Sequence, residues 1–142
     1  MNVYADSSFV VSTCVRDSHT IQAALRMSSH PSVWITPLNR AEVANALHRY
    51  AYRGAISAGE AKAAWEQFEK DRITRIWIEV ELPDGLWETD IGLSHRFGPT
   101  LGVRTLDSLH VACALELRAD KFWTFDERQA KLAQAVGLDT KP

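Results

Sequence analysis

Cysteine is scarce in this chain: two residues, Cys14 and Cys113, in 142. They lie far apart inside apolar segments, which excludes a disulfide framework and a cysteine-based zinc site and fits buried thiols in a reducing compartment. No apolar run approaches the roughly 20 residues needed to cross a bilayer. Met1–Asp6 leads into polar Ser7 and Ser8 without a basic segment, so no secretory signal is expected. Charge of one sign is not in excess either. Lys and Arg number 16 against 18 Asp and Glu, for a net charge of −2. That balance lacks the polybasic signature of constitutive nucleic-acid binders, and bulk charge neither suggests nor excludes such a partner. Also missing are a G-x-x-x-x-G-K-[ST] phosphate loop, a G-x-S-x-G elbow, an H-x-x-x-H pair, a Ser-His-Asp order, any internal repeat and any low-complexity linker. The expectation is a soluble, cytoplasmic protein of a single domain, residues 1–142, with no membrane association.

The chain does have enough apolar residues, 46% of the total, to bury roughly two-thirds of its unfolded surface. Short β-prone stretches at Asn2–Ala5, Val33–Thr36, Arg75–Val80 and Lys121–Phe125 alternate with helical periodicity at Ser8–Val15, Ser18–Met27, Leu38–Arg53, Ser57–Arg72, Gly85–Phe97, Thr105–Arg118 and Glu127–Val136. A last short strand is expected at Leu138–Thr140. Gly54 after Arg53 and the capping-box spacing Ser57-Ala-Gly-Glu60 predict a hairpin between the third and fourth helices. Strands separated by helices make an α/β fold, a mostly parallel central sheet of four to five strands with helices on both faces.

Acidic residues fall at the ends of these elements. Asp6 follows the first strand and Asp126 the fourth, each just before a helix. Asp107 lies in the first turn of the helix opened by Thr105, and Glu42 early in the helix after the second strand. In an open parallel sheet the strand ends share one edge, where ligand crevices form. Each acid also has an ordinary explanation. Asp6 and Asp126 are good N-caps, the latter with Gln129 at N3; the helix dipole favours Asp107; Glu42 suits a solvated helix face. Taken together they are harder to dismiss, because two carboxylates 4 Å apart repel by roughly 4 kcal/mol at an effective dielectric near 20. Convergence needs a raised pKa, a basic neighbour or a cation. Oxygen donors without Cys or His suit Mg²⁺ or Mn²⁺, which also bind phosphate oxygens. Neutralising four acids leaves a slightly positive surface that includes Arg40, Arg49, Arg96, Arg104 and Arg128, which suits a polyanion.

The motifs Val3-Tyr4-Ala5-Asp6-Ser7-Ser8, Arg40-Ala41-Glu42-Val43, Thr105-Leu106-Asp107-Ser108-Leu109-His110-Val111-Ala112 and Thr124-Phe125-Asp126-Glu127, with the Ala133…Gly137-Leu138 tail, resemble a PIN-domain ribonuclease, most of all the VapC-type toxins. The likeness covers essentially the whole chain and rests on the order and spacing of all four acids. It implies a PIN-like three-layer α/β/α sandwich and a metal-dependent endoribonuclease, the toxin of a type II toxin–antitoxin pair. Asp6, Glu42, Asp107 and Asp126 would be its catalytic, metal-binding acids for Mg²⁺ or Mn²⁺, with Asp6 and Asp107 the direct ligands, and Ser8 and Thr124 would orient them. The family's chemistry leaves a 5′-phosphate and a 3′-hydroxyl. The partners implied are an RNA substrate such as tRNA or ribosomal RNA, a cognate antitoxin and a second copy of the chain. The alternatives are a catalytically silent PIN-like module that binds RNA or protein, and another Mg²⁺-dependent phosphoesterase.

Other signals favour structural explanations. His110, one turn after Asp107, reads as a structural or surface histidine, and Arg104 as a solvated loop arginine. Five tryptophans, at 34, 65, 77, 87 and 123, sit in periodic apolar segments and read as core or subunit interface, with Trp65 and Phe68 as interface candidates. Asp90, near an apolar stripe, is not required by the motif set.

Overall fold

β1 (Asn2–Ala5) occupies the middle of the sheet because its residues are apolar toward both faces: Val3, Tyr4 and Ala5 are all fully buried, as a central parallel strand requires. The computed structural model describes all residues, Met1–Pro142. β1 is followed by α1 (Ser7–Cys14), α2 (Thr20–Met27), β2 (Ser32–Ile35), α3 (Pro37–Tyr52), α4 (Ala58–Ile73), β3 (Trp77–Glu79), α5 (Leu86–Leu101), α6 (Thr105–Glu116), β4 (Lys121–Trp123) and α7 (Glu127–Ala135). The four strands are all parallel, in the order β3-β2-β1-β4.

Side-chain alternation along the strands makes two cores. Val3, Ala5, Val33, Ile35 and Trp123 pack with Phe9, Val10, Val43, Leu47 and Phe68 from α1, α3 and α4. Tyr4 and Phe122 point the other way, against Leu86 and Leu93 of α5, Leu109 to Ala114 of α6, and Leu132 and Ala133 of α7. The result is a three-layer α/β/α sandwich, with α1–α4 on one face and α5–α7 on the other.

The α3–α4 hairpin follows its local chemistry. Gly54 takes the left-handed conformation (φ 75°) just past α3. Ser57 Oγ accepts from Glu60 N at 3.0 Å, while Ser57 N donates to Glu60 Oε1 at 3.1 Å. α5 runs further than the sequence suggests. The helical periodicity spans Gly85–Phe97, yet the helix continues through Gly98 and Pro99 to Leu101 and stops at Gly102 (φ 59°). Proline costs α5 one hydrogen bond near its C-terminus, where the ladder is already running out. The strand expected at Leu138–Thr140 is reduced to one bridge between Lys121 and Asp139. Phe68, expected at an interface, is instead core, with Trp65 packed beside it at a ring separation of 5.4 Å.

Candidate active site

The chain moves outward from β1 to β2 and β3, then crosses back to place β4 on the other side of β1. The point where that direction reverses, at the carboxyl ends of β1 and β4, is where a parallel sheet opens a crevice. A cavity of about 800 Å³ lies at this edge of the fold, and Ser8, Glu42, Asp107 and Asp126 are among its lining residues. Asp6 lies immediately behind, 3% exposed and adjacent to Ser7 and Ser8 in the wall.

Parallel pairing of Ala5 with Trp123 brings the two strand ends together, and Asp6 N donates to Trp123 O at 3.0 Å. The Asp6 carboxylate then gathers four donor contacts. Phe9 N donates to Oδ1 at 2.9 Å, Thr124 Oγ1 donates to Oδ2 at 2.7 Å, and Ser8 Oγ lies 2.8 Å from both oxygens. The two hydroxyls in turn accept from Phe125 N at 3.0 Å and Asp126 N at 2.9 Å. Ser8 and Thr124 therefore tie the Asp6 carboxylate to the loop that carries Asp126. Burial still pushes the Asp6 carboxyl up, against the lowering effect of His110 and of its hydrogen bonds.

Asp126 caps α7 through Oδ1, which accepts from Gln129 N at 2.9 Å. Gln129, itself buried, donates from Nε2 to Asp107 O at 3.1 Å. One side chain thus links the starts of α6 and α7. The Asp107 carboxylate is met by Arg104 Nε at 3.3 Å. Arg104 and Arg49 line the cavity. Of the other arginines expected to favour a polyanion, Arg40 is engaged elsewhere by Glu69, and neither Arg96 nor Arg128 lines the cavity.

Glu42 is not the freely solvated glutamate that its helix position allows. Its Oε1 accepts from Ser7 Oγ at 2.8 Å and is also hydrogen-bonded to His110 Nε2. These bonds outweigh burial and hold the Glu42 carboxyl below its ordinary range. His110 is 2% exposed, and its Nδ1 lies 2.8 Å from the Tyr4 hydroxyl. An ionised Glu42 can only accept, so His110 Nε2 carries a proton; in the neutral ring Nδ1 then accepts from Tyr4. His110 is structural, as its sequence context favours, but its spacing from Asp107 gives no hint that α6 faces Glu42 across the sheet edge. Ser7 and Gln129 were missed for the same reason. Asp90 is buried on the α5 side, where Ser108 Oγ donates to it.

The donors are hard oxygens, which fits Mg²⁺ or Mn²⁺. Three carboxylates line one cavity and a fourth lies desolvated behind it, an arrangement a cation would relieve. The side chains stand apart, with no three His, Cys, Asp or Glu residues converging closely enough to hold an ion among themselves. Mg²⁺ keeps several of its waters and does not need all of its ligands from protein.

A four-stranded parallel sheet between two helical layers, with a cavity lined by Glu42, Asp107 and Asp126 at its switch point, defines a small α/β protein of the three-layer class. Residues 3–135 match the PIN domain family, and the chain belongs to that family. Three solved structures share the fold. VapC20 of Mycobacterium tuberculosis, a toxin that cleaves the sarcin–ricin loop, superposes with a TM-score of 0.73 at 17% identity, covering 99% of each chain. VapBC2 of Rickettsia felis, bound to a DNA fragment from its promoter, gives 0.70 at 11% identity, covering 99% of this chain and 98% of the other. FitAcB of Neisseria gonorrhoeae gives 0.69 at 11% identity, covering 99% and 96%. No curated protein matches the chain. No helix is long and apolar enough to cross a membrane.

Proposed function

We propose that this chain is a metal-dependent endoribonuclease that hydrolyses RNA phosphodiester bonds, and that it is the toxin of a toxin–antitoxin pair. The observation that carries the reading is the grouping of Glu42, Asp107 and Asp126 around one cavity, with Asp6 hydrogen-bonded into its wall. Membership of the PIN domain family and the shared fold with the VapC20, VapBC2 and FitAcB structures support it.

In this reading Asp6, Glu42, Asp107 and Asp126 hold one or two Mg²⁺ or Mn²⁺ ions. A bound ion supplies Lewis-acid stabilisation of the phosphodiester and a more acidic water. The chain's own residues do the rest. His110 and Ser7 both bond Glu42 Oε1, leaving Oε2 for the cavity. Ser8 and Thr124 hold Asp6 in register with Asp126, and Arg49 and Arg104 offer positive charge to flanking phosphates. The partners are an RNA, a cognate antitoxin and a second copy of the chain. Residues 1–142 act as one domain.

Purified protein is incubated with total cellular RNA and Mn²⁺, beside Asp107→Asn and a chelator control, and new 5′-phosphate ends are mapped. Ends confined to the wild type with metal support the nuclease and name its substrate. Ends carrying a 2′,3′-cyclic phosphate exclude water as the nucleophile, and the absence of new ends favours a silent binding module.

A further inference from the structure

The same cavity has an aromatic wall that the acids do not use. His19 stacks on Phe125 with ring centroids 4.4 Å apart and planes 6° from parallel. Phe125 stacks in turn on buried Phe9, at 5.4 Å and 25°. Both His19 and Phe125 line the cavity. The stack therefore runs from the core out to the cavity wall and ends there on an imidazole.

That imidazole has no visible structural task. His19 is the N-cap residue of α2, but its side chain makes no capping hydrogen bond. The residue's hydrogen bonds run through its backbone: N donates to Asp17 Oδ1 at 2.8 Å, and O accepts from Ala23 N at 2.9 Å. The turn that carries it is firmly held: Ser12 Oγ donates to Asp17 Oδ2 at 2.7 Å, and Asp17 N donates to Thr20 Oγ1 at 2.8 Å. Arg26 lies 5.3 Å from the centre of the Phe125 ring, within cation–π range. A half-buried planar ring with free ring nitrogens, held rigid on a cavity wall, is a stacking platform whose partner must be another flat, polar ring.

The location decides which ring. Phe125 directly precedes Asp126, so the stack begins about 3.8 Å along the backbone from one of the candidate metal ligands. Asn45 and Arg49 line the same cavity, one and two turns beyond Glu42 on α3. They supply an amide for a base edge and a cation for a phosphate.

We infer that His19, seated on Phe125, is a nucleobase subsite that holds an unpaired base beside the phosphodiester at the acidic cluster. This rests on the nuclease reading and adds a specificity-determining residue to it. Stacking on an aromatic face tolerates any base, so the platform selects for unstacked strands, and Asn45 supplies any preference among bases.

The test uses fluorescein-labelled single-stranded RNA hexamers of each base, and the same strands with one abasic nucleotide walked along them, in Ca²⁺ with strand integrity checked on gels. Binding is read by anisotropy. For the wild type, one abasic position weakens binding about tenfold. His19→Ala weakens the intact strand to a similar degree and becomes indifferent to that position, whereas His19→Tyr, which keeps a stacking face, retains the wild-type pattern. If His19→Ala binds intact and abasic strands as the wild type does, the subsite is overturned while the phosphodiester site stands. If the wild type binds no hexamer, the subsite is overturned, and the nuclease reading is decided separately by the mapping of 5′-phosphate ends.

Discussion

The Tyr4 hydroxyl lies 2.8 Å from His110 Nδ1, and the opposite ring nitrogen meets Glu42 Oε1. A core strand, a helix of the second layer and a cavity-lining acid are thereby joined through one buried imidazole. Tyr4→Phe leaves His110 Nδ1 without a partner and is expected to destabilise by about 1–3 kcal/mol. His110→Ala, which also opens a void, is expected to cost about 2–4 kcal/mol. The double variant in urea unfolding should lose less than the sum of the two, since the residues act as a pair. Simple additivity would show that they do not.

Asp6 gives a prediction for metal. Burial raises its folded pKa above the unfolded one, so its contribution favours folding at low pH and is lost as the pH rises through that folded value. Near neutral pH the ionised form is a cost in the metal-free protein. Asp6→Asn keeps a good N-cap and should raise the metal-free unfolding temperature. Mn²⁺ at about 100 times its dissociation constant should stabilise the wild type by about 2.7 kcal/mol, and this gain should disappear in both Asp6→Asn and Asp107→Asn. Thermal scans with and without Mn²⁺ measure it, and equal gains in all three proteins would exclude these acids as ligands.

The surface network around Glu69 sets an acid limit. Arg40 donates to Glu69 Oε1 at 2.9 Å, Arg72 donates to Oε2 at 2.6 Å, and Arg72 also pairs with Glu79 at 3.1 Å. Burial pushes the Glu69 carboxyl up, but its hydrogen bonds to Arg72 and Arg40 more than offset this and hold it below its ordinary range. A lowered folded pKa stabilises above the unfolded value and is lost as the pH falls through the folded one. Glu69→Gln should therefore cost about 1 kcal/mol at neutral pH, and the difference from wild type should shrink once the pH falls below the ordinary glutamate range, towards the lowered folded value. Denaturant titrations at neutral and acid pH decide it; a constant difference would mean that charge is not the cause.

Helix α5 allows opposite outcomes from one kind of change. A Cβ at Gly92 meets nothing within 4 Å, so Gly92→Ala should stabilise by about 0.5–1 kcal/mol. Gly102 has equal space but sits at φ 59°, and alanine there should destabilise by about 1–2 kcal/mol. Unfolding midpoints that move in the same direction for Gly92→Ala and Gly102→Ala would contradict this account.

The strands and helices were legible in the sequence wherever local chemistry sets them. β1 was placed to the residue, and the α3–α4 turn follows from Gly54 and Ser57. The end of α5 was not legible, because a proline in the last helical turn reads the same as one beyond it. Nor was Phe68, whose burial depends on α4 packing across α1 and α3. At the site, the sequence pointed to the cavity edge through residues that end strands and begin helices. His110, Gln129 and the His19–Phe125 stack join residues 68, 22 and 106 positions away, and no periodicity encodes such distances.

Asp6 and Asp126 accept the first amides of α1 and α7, so the fold itself has a use for both. A copy of this chain that had lost its chemistry would still be held to those two residues by its helices. Glu42 caps nothing but is tied to Ser7 and buried His110, whereas the Asp107 carboxylate meets only Arg104. Among related chains, the presence or loss of Asp107 is therefore the better sign of whether the cavity still works, and an intact pair at Asp6 and Asp126 says little by itself.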